Sequence, residues 1–291
     1  MKTSLSRKAF VFFNTIFLAI LSLVCLYPII YVVFASFSDS SKLMAHSGLL
    51  FRPLNFNMNA YYAVFKNPSI LTGYRNTLFI LVVGTVYSVT LTSLGAYVLS
   101  RRNFLMRNFF MMAITFTMFF NGGLIPFYMI VKKIGLYNSL LSLIIPLGIS
   151  TYNLIIMRTS FAAVPAELEE AALIDGAGHW TILFKIYIPV SKAIIAVMVL
   201  YYGVGLWNGW FYSMIFLADR SKFPLQLILR EILIQNDTSS VMSGVGVEDG
   251  FSVAETVKYA VIVIGTLPIL CIYPFVQKYF VKGVMIGAVK G

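Results

Sequence analysis

The chain reads VPAELEEAALIDGAGHWTILFKIYIP from Val164 to Pro189, between two apolar stretches. Pro165 suits the first turn of a helix, and the three glutamates that follow it complement the helix dipole there. Gly176 can end that helix in a left-handed conformation. We therefore predict a short acidic helix, a glycine turn and a second amphipathic piece over Trp180–Ile186. Pro189 then opens the next apolar stretch.

The sequence on either side is too apolar for a soluble domain. Of 291 residues, 59% are hydrophobic and 11% are charged, whereas soluble domains carry about 25% charged residues. A helix that crosses a bilayer needs about 20 mostly apolar residues. We therefore predict an all-α polytopic membrane protein, one transmembrane domain over 1–291. Its six spans lie near 10–37, 77–99, 109–131, 140–157, 191–217 and 257–280.

Charges beside the spans predict their direction. One set of flanks comprises both chain ends and the loops between spans two and three and between spans four and five. This set carries twelve basic and four acidic residues, whereas the opposite set carries ten basic and seven acidic residues. The more basic side is the cytoplasmic one, so both termini and the loop 164–189 are expected inside. The run after the basic residues Lys2, Arg7 and Lys8 is too long for a signal-peptide core, which predicts a retained first span.

The same distribution explains the net charge of +11 without nucleic acid as a partner. Cys25 and Cys271 both lie in apolar runs, where a thiol acts as a small hydrophobe. They make no disulfide framework, and no residues have the spacing of metal ligands. We expect no metal site.

Two interpretations of the acidic helix remain open. It could lie on the lipid surface as an ordinary amphipathic loop. However, membrane-surface helices usually place Lys and Arg on their polar face, and this helix places Glu there. Its exposed Ala, Leu and Ile side chains would stay uncovered without a partner, so a protein partner is the better fit.

The residues of this loop resemble a known motif. Glu170-Ala171-Ala172, three residues, Gly176, nine residues, Ile186, one residue and Ile188-Pro189 have the spacing of the EAA loop of ABC-importer permeases. Ile188 stands where Leu is commonest in that family. Other segments resemble the carbohydrate branch, the second permease of maltose-type importers, as represented by LplC and YtcP. These segments are Asn76-Thr77, Ala96–Arg101, Trp207-Asn208, Phe223–Gln226 and Lys282–Gly291.

The resemblance implies a type I importer fold in the bacterial cytoplasmic membrane. It implies a second homologous permease subunit, two ATPase subunits, an extracellular substrate-binding protein and an oligosaccharide substrate. The chain has no Gly-rich loop ending in Gly-Lys-Ser/Thr, so we expect it to be non-catalytic and to bind no cofactor, with ATP and Mg²⁺ on the ATPase partners. The residues expected to couple to the ATPase are Glu169, Glu170, Ala171, Ala172, Asp175, Gly176, Ile186 and Pro189. The tail residues Lys290 and Gly291 are expected to contact the ATPase as well, and the alternative for the tail is a frayed chain end.

Span five predicts a substrate path. Tyr201, Gly205, Asn208 and Tyr212 recur at helical spacing, and an Asn within a span tends to face a cavity. The alternative is a hydrogen bond between helices without a ligand. Asn121, beside Gly122-Gly123, marks an expected helix break near the path, and Asn153 is a weaker candidate. Trp207 and Trp210 are expected to be interface anchors. In maltose-type importers the partner permease holds most of the sugar, so this subunit would contact it little.

Four other functions compete with this one, and one of them is a non-transport membrane scaffold. A secondary transporter driven by an ion gradient usually needs ionisable groups inside its spans, and none stands at a predicted span centre. An intramembrane enzyme would need a motif such as His-Glu-x-x-His or Gly-x-Ser-x-Gly, and neither is present. A permease for a non-carbohydrate cargo remains an alternative.

Overall fold

The computed structural model describes residues 5–101, 103–234, 255–272 and 274, and its regular elements in that part of the chain are all helical. The first half contains α1 (Leu5–Ser36), α2 (Ser40–Ala45), α3 (Asn59–Lys66), α4 (Pro68–Ser100), α5 (Arg107–Phe119) and α6 (Leu124–Lys133). The second half contains α7 (Thr151–Ala162), α8 (Ala166–Ile174), α9 (His179–Ile182), α10 (Ile188–Val190), α11 (Lys192–Trp207), α12 (Phe211–Phe216), α13 (Leu225–Ile234) and α14 (Glu255–Ile272). Two 3₁₀ turns (Leu140–Leu143 and Arg220–Lys222) and a π-helical turn (Leu183–Tyr187) complete these elements.

Three of these helices, α1, α4 and α14, are long and apolar enough to cross a membrane. Two bent pairs raise the number to as many as five in the described residues if each pair is one span. The pair α5 and α6 bends by 112°, and the pair His179–Val190 and α11 bends by 87°. The chain is therefore built to pass the bilayer several times.

The structure interrupts three of the predicted spans, the first of them where a break was expected. The break expected at Asn121-Gly122-Gly123 is present, where the Asn121 side chain accepts a hydrogen bond from the Gly123 amide at 3.0 Å. The stretch 140–157 is not one continuous helix: after the 3₁₀ turn it is irregular until Ser150 caps α7. Pro146 in that gap lacks the amide hydrogen that a continuous helix needs there. The stretch 191–217 breaks after Trp207 and resumes as α12.

The chain divides into two compact units. One consists of Met1–Ile70 with Leu229–Leu267. In its described part, most large side chains of α1 are exposed, and a small core forms around Ala35, Leu43 and Leu50. Asp39 caps α2 by accepting hydrogen bonds from two backbone amides, as the first turn of a helix requires.

The other unit consists of Leu71–Ile228 with Pro268–Gly291, and its described part contains most of α4. Gly73, Gly84 and Gly95 lie eleven residues apart, which is about three helical turns and places them on one face. A Cβ atom added to Gly73 would lie 3.2 Å from the backbone Cα of Leu225. Absence of side chains on this face lets neighbouring helices approach closely, as is common in membrane bundles.

Candidate functional site

The acidic helix predicted from the sequence is α8, and it ends as predicted at Gly176, whose φ is +77°. The amide of Ala177 donates to the carbonyl of Ala172 at 2.8 Å, and the amide of Gly176 donates to that of Leu173 at 3.1 Å. These two bonds form a Schellman motif, which satisfies carbonyls that a helix end leaves open. The Glu-Ala-Ala…Gly spacing thus encodes a helix with a defined end.

One side of this helix–turn–helix segment is exposed. Glu170, Ala171 and Asp175 are exposed, and so are the apolar side chains of Ile174 (86%) and Trp180 (66%). The Trp180 ring stacks on the ring of Phe184 at 6.1 Å between centroids. We call this acidic and apolar surface, formed by Glu170, Ala171, Ile174, Asp175, Trp180 and Phe184, the docking surface.

The opposite side of the segment packs onto a buried core. Ala172 and Ala177 contact a cluster that includes the buried Phe161, Ile182 and Leu183. Short alanine side chains allow the helix backbone to lie close to that cluster. The segment is therefore a half-embedded knob with one free face.

Glu169 and Glu170 are neighbours in sequence but point in different directions. Glu170 is exposed, whereas Glu169 turns inward and forms an ion pair with Arg101, which follows α4. Tyr187 donates a hydrogen bond from its hydroxyl to the other oxygen of Glu169 at 2.7 Å. His179 receives a hydrogen bond at Nδ1 from Arg101 at 2.7 Å, since a guanidinium only donates.

The segment that leads to α11 contains the predicted hinge residues. Ile186 is half-buried in the π-helical turn and Pro189 is exposed in α10. The chain turns by 87° between α10 and α11, at Ser191, two residues beyond Pro189. Proline cannot donate the next helical hydrogen bond, and a π-helical turn is a known site of helix distortion. The predicted tail contacts Lys290 and Gly291 lie outside the described residues.

A cavity of about 730 Å³ opens in the second unit beside α11. Tyr201, Tyr212 and Asn153 line it, together with Tyr152 and Ser150. The Tyr152 and Tyr201 rings are stacked, with centroids 6.5 Å apart and planes inclined by 28°. These residues combine flat aromatic faces with polar groups, as ligand sites usually do.

The predicted face of span five is interrupted. The helix α11 ends at Trp207, so Asn208 is its C-cap and is exposed. Neither Asn208 nor Asn121 is among the lining residues in the described part of the chain. The prediction of an interface anchor is wrong for Trp207, which is 5% exposed and packs against the Tyr74 ring. Trp210 is exposed, and its anchoring role stays a prediction.

Two sequence segments that carried the family resemblance meet in the structure. The buried Asn76 amide donates to the carbonyls of Ser221 (2.9 Å) and Phe223 (3.1 Å). Thr77 accepts a hydrogen bond from the amide of Leu225 at 2.8 Å. Asn76 and Thr77 thus hold the backbone before α13 against α4 and satisfy polar groups that are buried there.

These features agree with what comparison with known proteins finds. Residues 2–286 match the family described as binding-protein-dependent transport system inner membrane component. The chain belongs to this family. It is a transport component, and its apolar helices are those of a multi-pass membrane protein.

This permease is similar to two curated proteins of Bacillus subtilis (strain 168). It is 39% identical to Protein LplC over 278 residues, which cover 96% of this chain and 94% of LplC. It is 40% identical over 280 residues to the polygalacturonan/rhamnogalacturonan transport system permease protein YtcP, and the match covers 94% of this chain and 96% of YtcP.

A solved structure shares the fold. It is a chain of a bacterial ABC transporter involved in the import of the acidic polysaccharide alginate. The TM-score is 0.87 at 34% identity, covering 96% of this permease and 99% of that chain. The described helices therefore have the fold of an ABC-importer permease.

Sequence reasoning missed several residues of these sites. Tyr97 and Arg101 appeared only within the segment Ala96–Arg101 that carries the family resemblance and, for Arg101, as a basic residue beside a span, and no role was predicted for Tyr187. Tyr152 and Ser150 were overlooked because the stretch around them was treated as one helix. A local signal was available: Ser150 is a typical N-cap residue, and a helix that begins after it places Tyr152 in its first turn.

Proposed function

We propose that this permease is the membrane-spanning subunit of a binding-protein-dependent ABC importer for an oligosaccharide. Transport proceeds by alternating access, driven by ATP hydrolysis in partner subunits in the bacterial cytoplasmic membrane. The observation that carries the proposal is the docking surface: an exposed acidic and apolar face on a knob whose other side is anchored. A face of this kind needs a protein to cover it.

The proposed assembly follows from that surface and from the family. Two ATPase subunits bind the docking surfaces of this permease and of a second homologous permease, and an extracellular binding protein delivers the substrate. ATP and Mg²⁺ bind the ATPase subunits, and this chain contributes no cofactor site. Six spans with both termini inside would put α8 on the cytoplasmic face, where closure of the ATPases can push it.

Glu169 turns inward to Arg101 and therefore does not meet the ATPase, whereas each of the other predicted coupling residues has a proposed part. Glu170, Ala171 and Asp175 belong to the exposed face that meets the ATPase, and Gly176 ends the helix. Ala172 seats it on the core. Ile186 and Pro189 lie in the segment that turns into α11, where movement of the knob would change the bend. A change of that bend is a rigid-body step of the kind that opens and closes transport paths.

The cavity supports an oligosaccharide as the cargo. Its volume of about 730 Å³ lies within the range of about 300–1,000 Å³ that small-molecule sites have. Stacked tyrosines offer faces for the apolar sides of sugar rings, and Asn153 and Ser150 offer hydrogen-bonding groups beside them. The cargoes named for YtcP and for the alginate transporter are glycans. This subunit would supply one wall of a site whose larger part can belong to the partner permease.

ATPase stimulation tests the cargo. The permease is reconstituted in proteoliposomes with its partner permease, its ATPases and its binding protein, and ATP hydrolysis is measured across a panel of neutral and acidic oligosaccharides. We expect stimulation by at least one glycan. If no glycan in the panel stimulates ATP hydrolysis, the carbohydrate assignment is contradicted. Uptake driven by an ion gradient without ATP would contradict the proposal of an ATP-driven importer.

A pair of variants tests the cavity. Tyr152→Ala removes one of the two stacked rings, whereas Tyr152→Phe keeps the ring and removes only the hydroxyl. We expect uptake to fall about two- to tenfold for the alanine variant, since an aromatic ring contact is worth about 0.5–1.5 kcal/mol, and to fall less for the phenylalanine variant, which keeps the ring. Equal uptake by both variants would show that the ring does not face the substrate.

A further inference from the structure

The inner side of the knob carries a polar network that its docking function does not explain. Arg101 lies directly after α4, and its guanidinium meets residues of three other segments: Glu169 of α8, His179 of α9 and, through Glu169, Tyr187 of the π-helical turn. The side chains of Arg101 and Glu169 are only 18% and 15% exposed. The network therefore lies beneath the knob, away from the docking surface.

The hydrogen bonds of this network are mutually consistent. Arginine has only donors, and here they reach a carboxylate, the Nδ1 atom of His179 and the hydroxyl of Tyr97 at 3.1 Å. The guanidinium carbon also lies 5.3 Å from the centre of the Tyr97 ring, within the range of a cation–π contact. Because Tyr187 donates to the second oxygen of Glu169, both oxygens of the carboxylate have partners.

Aromatic packing holds this network in one arrangement. The Tyr187 ring meets the Tyr97 ring edge to face at 5.0 Å and the Phe161 ring at 5.5 Å. Tyr97, Tyr187 and Phe161 are all buried. Interactions of charged groups are stronger where water is largely excluded, so the ion pair resists sliding of α8 along the core. The alanine contacts of α8 are short and non-directional and would resist it less.

We propose that Arg101 is a positioning residue, which locks α8 to the end of α4 and to the segment leading into α11. When an ATPase pushes the docking surface, α4 and the bend before α11 then move with the knob. Without the lock, the knob would tilt on its alanine face and the push would be lost. This inference rests on the proposed function, because it needs an ATPase to supply the push.

Charge reversal tests the lock. Arg101→Glu and Glu169→Arg each place like charges together, and the double variant restores an ion pair. In the double variant, Tyr97 and His179 can donate to the new carboxylate, and the Tyr187 oxygen can accept from the new guanidinium. Arg107→Glu, on the same predicted cytoplasmic flank, is the charge control.

The readouts are binding of the ATPase subunits and sugar transported per ATP hydrolysed, both in the reconstituted complex. We expect each single variant to keep its ATPase subunits but to lose about tenfold in sugar per ATP, since a hydrogen-bonded charge pair is worth at least that factor. The double variant should return to within about threefold of wild type, as should the control. Single variants with normal coupling would overturn the proposal, and so would a double variant no better than either.

A second measurement keeps the lock testable if the complex does not transport. Amide hydrogen exchange in α8 should rise in both single variants and fall again in the double variant, because local opening follows the loss of local contacts. If wild type shows no ATP-dependent uptake, the proposed function fails, while exchange still decides whether Arg101 holds α8. Unchanged exchange in the single variants would refute the lock itself.

Discussion

Gly176 allows the end of the docking helix to be tested with a control two residues away. Gly176 has a φ of +77°, whereas Gly178 has a φ of −75°. A Cβ atom added to either glycine would meet no other atom within 4 Å. Gly176→Ala and Gly178→Ala therefore add the same methyl group to open space, and they differ only in the backbone conformation that must accept it.

The expected cost follows from that conformation. An L-residue in the left-handed region costs about 1–2 kcal/mol relative to glycine. The chain can escape the strain only by breaking the two hydrogen bonds from Gly176 and Ala177 that end α8, each worth about 0.5–1.5 kcal/mol. Gly176→Ala should therefore reduce the population of the intact knob by a factor of about 5–30. Gly178 is the N-cap of α9, where alanine is a poorer cap than glycine; the lower flexibility of the unfolded chain partly offsets that cost, so the net change should stay below about 1 kcal/mol.

The assay is uptake by the reconstituted complex, together with the affinity of the ATPase subunits for the permease. Gly176→Ala should weaken both, Gly176→Asn should lie between alanine and wild type because asparagine tolerates the left-handed region, and Gly178→Ala should match wild type. Gly176→Pro should abolish transport while the subunit still inserts in the membrane, since proline fixes φ near −65° and removes the amide hydrogen. Equal behaviour of Gly176→Ala and Gly178→Ala, or retained transport by Gly176→Pro, would refute this reasoning.

Two stability predictions follow from the packing around α4, both measured as the thermal unfolding midpoint of the purified permease. Asn76→Ala should destabilise the permease by about 1–3 kcal/mol for each of the two carbonyls that lose their donor. The control Asn59→Ala, at an exposed position of α3, should have little effect. Equal midpoints for the two variants would contradict the role of Asn76 as a clamp. Gly73→Ala should destabilise the permease by about 1–3 kcal/mol, since the added Cβ would lie 3.2 Å from the Leu225 backbone. In the control Gly205→Ala the added Cβ meets open space, so that variant should be neutral or stabilising. A Gly73→Ala variant as stable as wild type would show that the helices can separate at no cost.

Much of the docking knob could be predicted from sequence because its signals are local. A proline before the first turn, glutamates within that turn and a glycine just after the helix act over a few residues. The helix break after Asn121 was predictable for the same reason. The irregular stretch around Pro146 was missed, because average hydrophobicity is the same for a continuous apolar helix and for an interrupted one.

The clamp and the network are different, because their residues are distant in sequence. Asn76 and Phe223 are 147 positions apart, and both segments looked only like family signatures. Arg101 could be recognised as a basic residue that favours the cytoplasmic side, but its ion-pair partner depends on how α8 packs near the end of α4. The substrate face of span five failed at Asn208 for a related reason, since a helical face exists only as far as the helix continues.

By itself, the sequence determined the class of the molecule and the acidic helix that we propose as its docking segment. Apolar length sets the number of possible crossings, and the Glu-Ala-Ala…Gly spacing sets a helix and its end. Only the tertiary structure decided that Glu169 turns inward to Arg101 while Glu170 stays exposed. Neighbouring residues on a helix point about 100° apart, so two adjacent glutamates cannot face the same way, and the surface against which the helix packs selects the one that is buried.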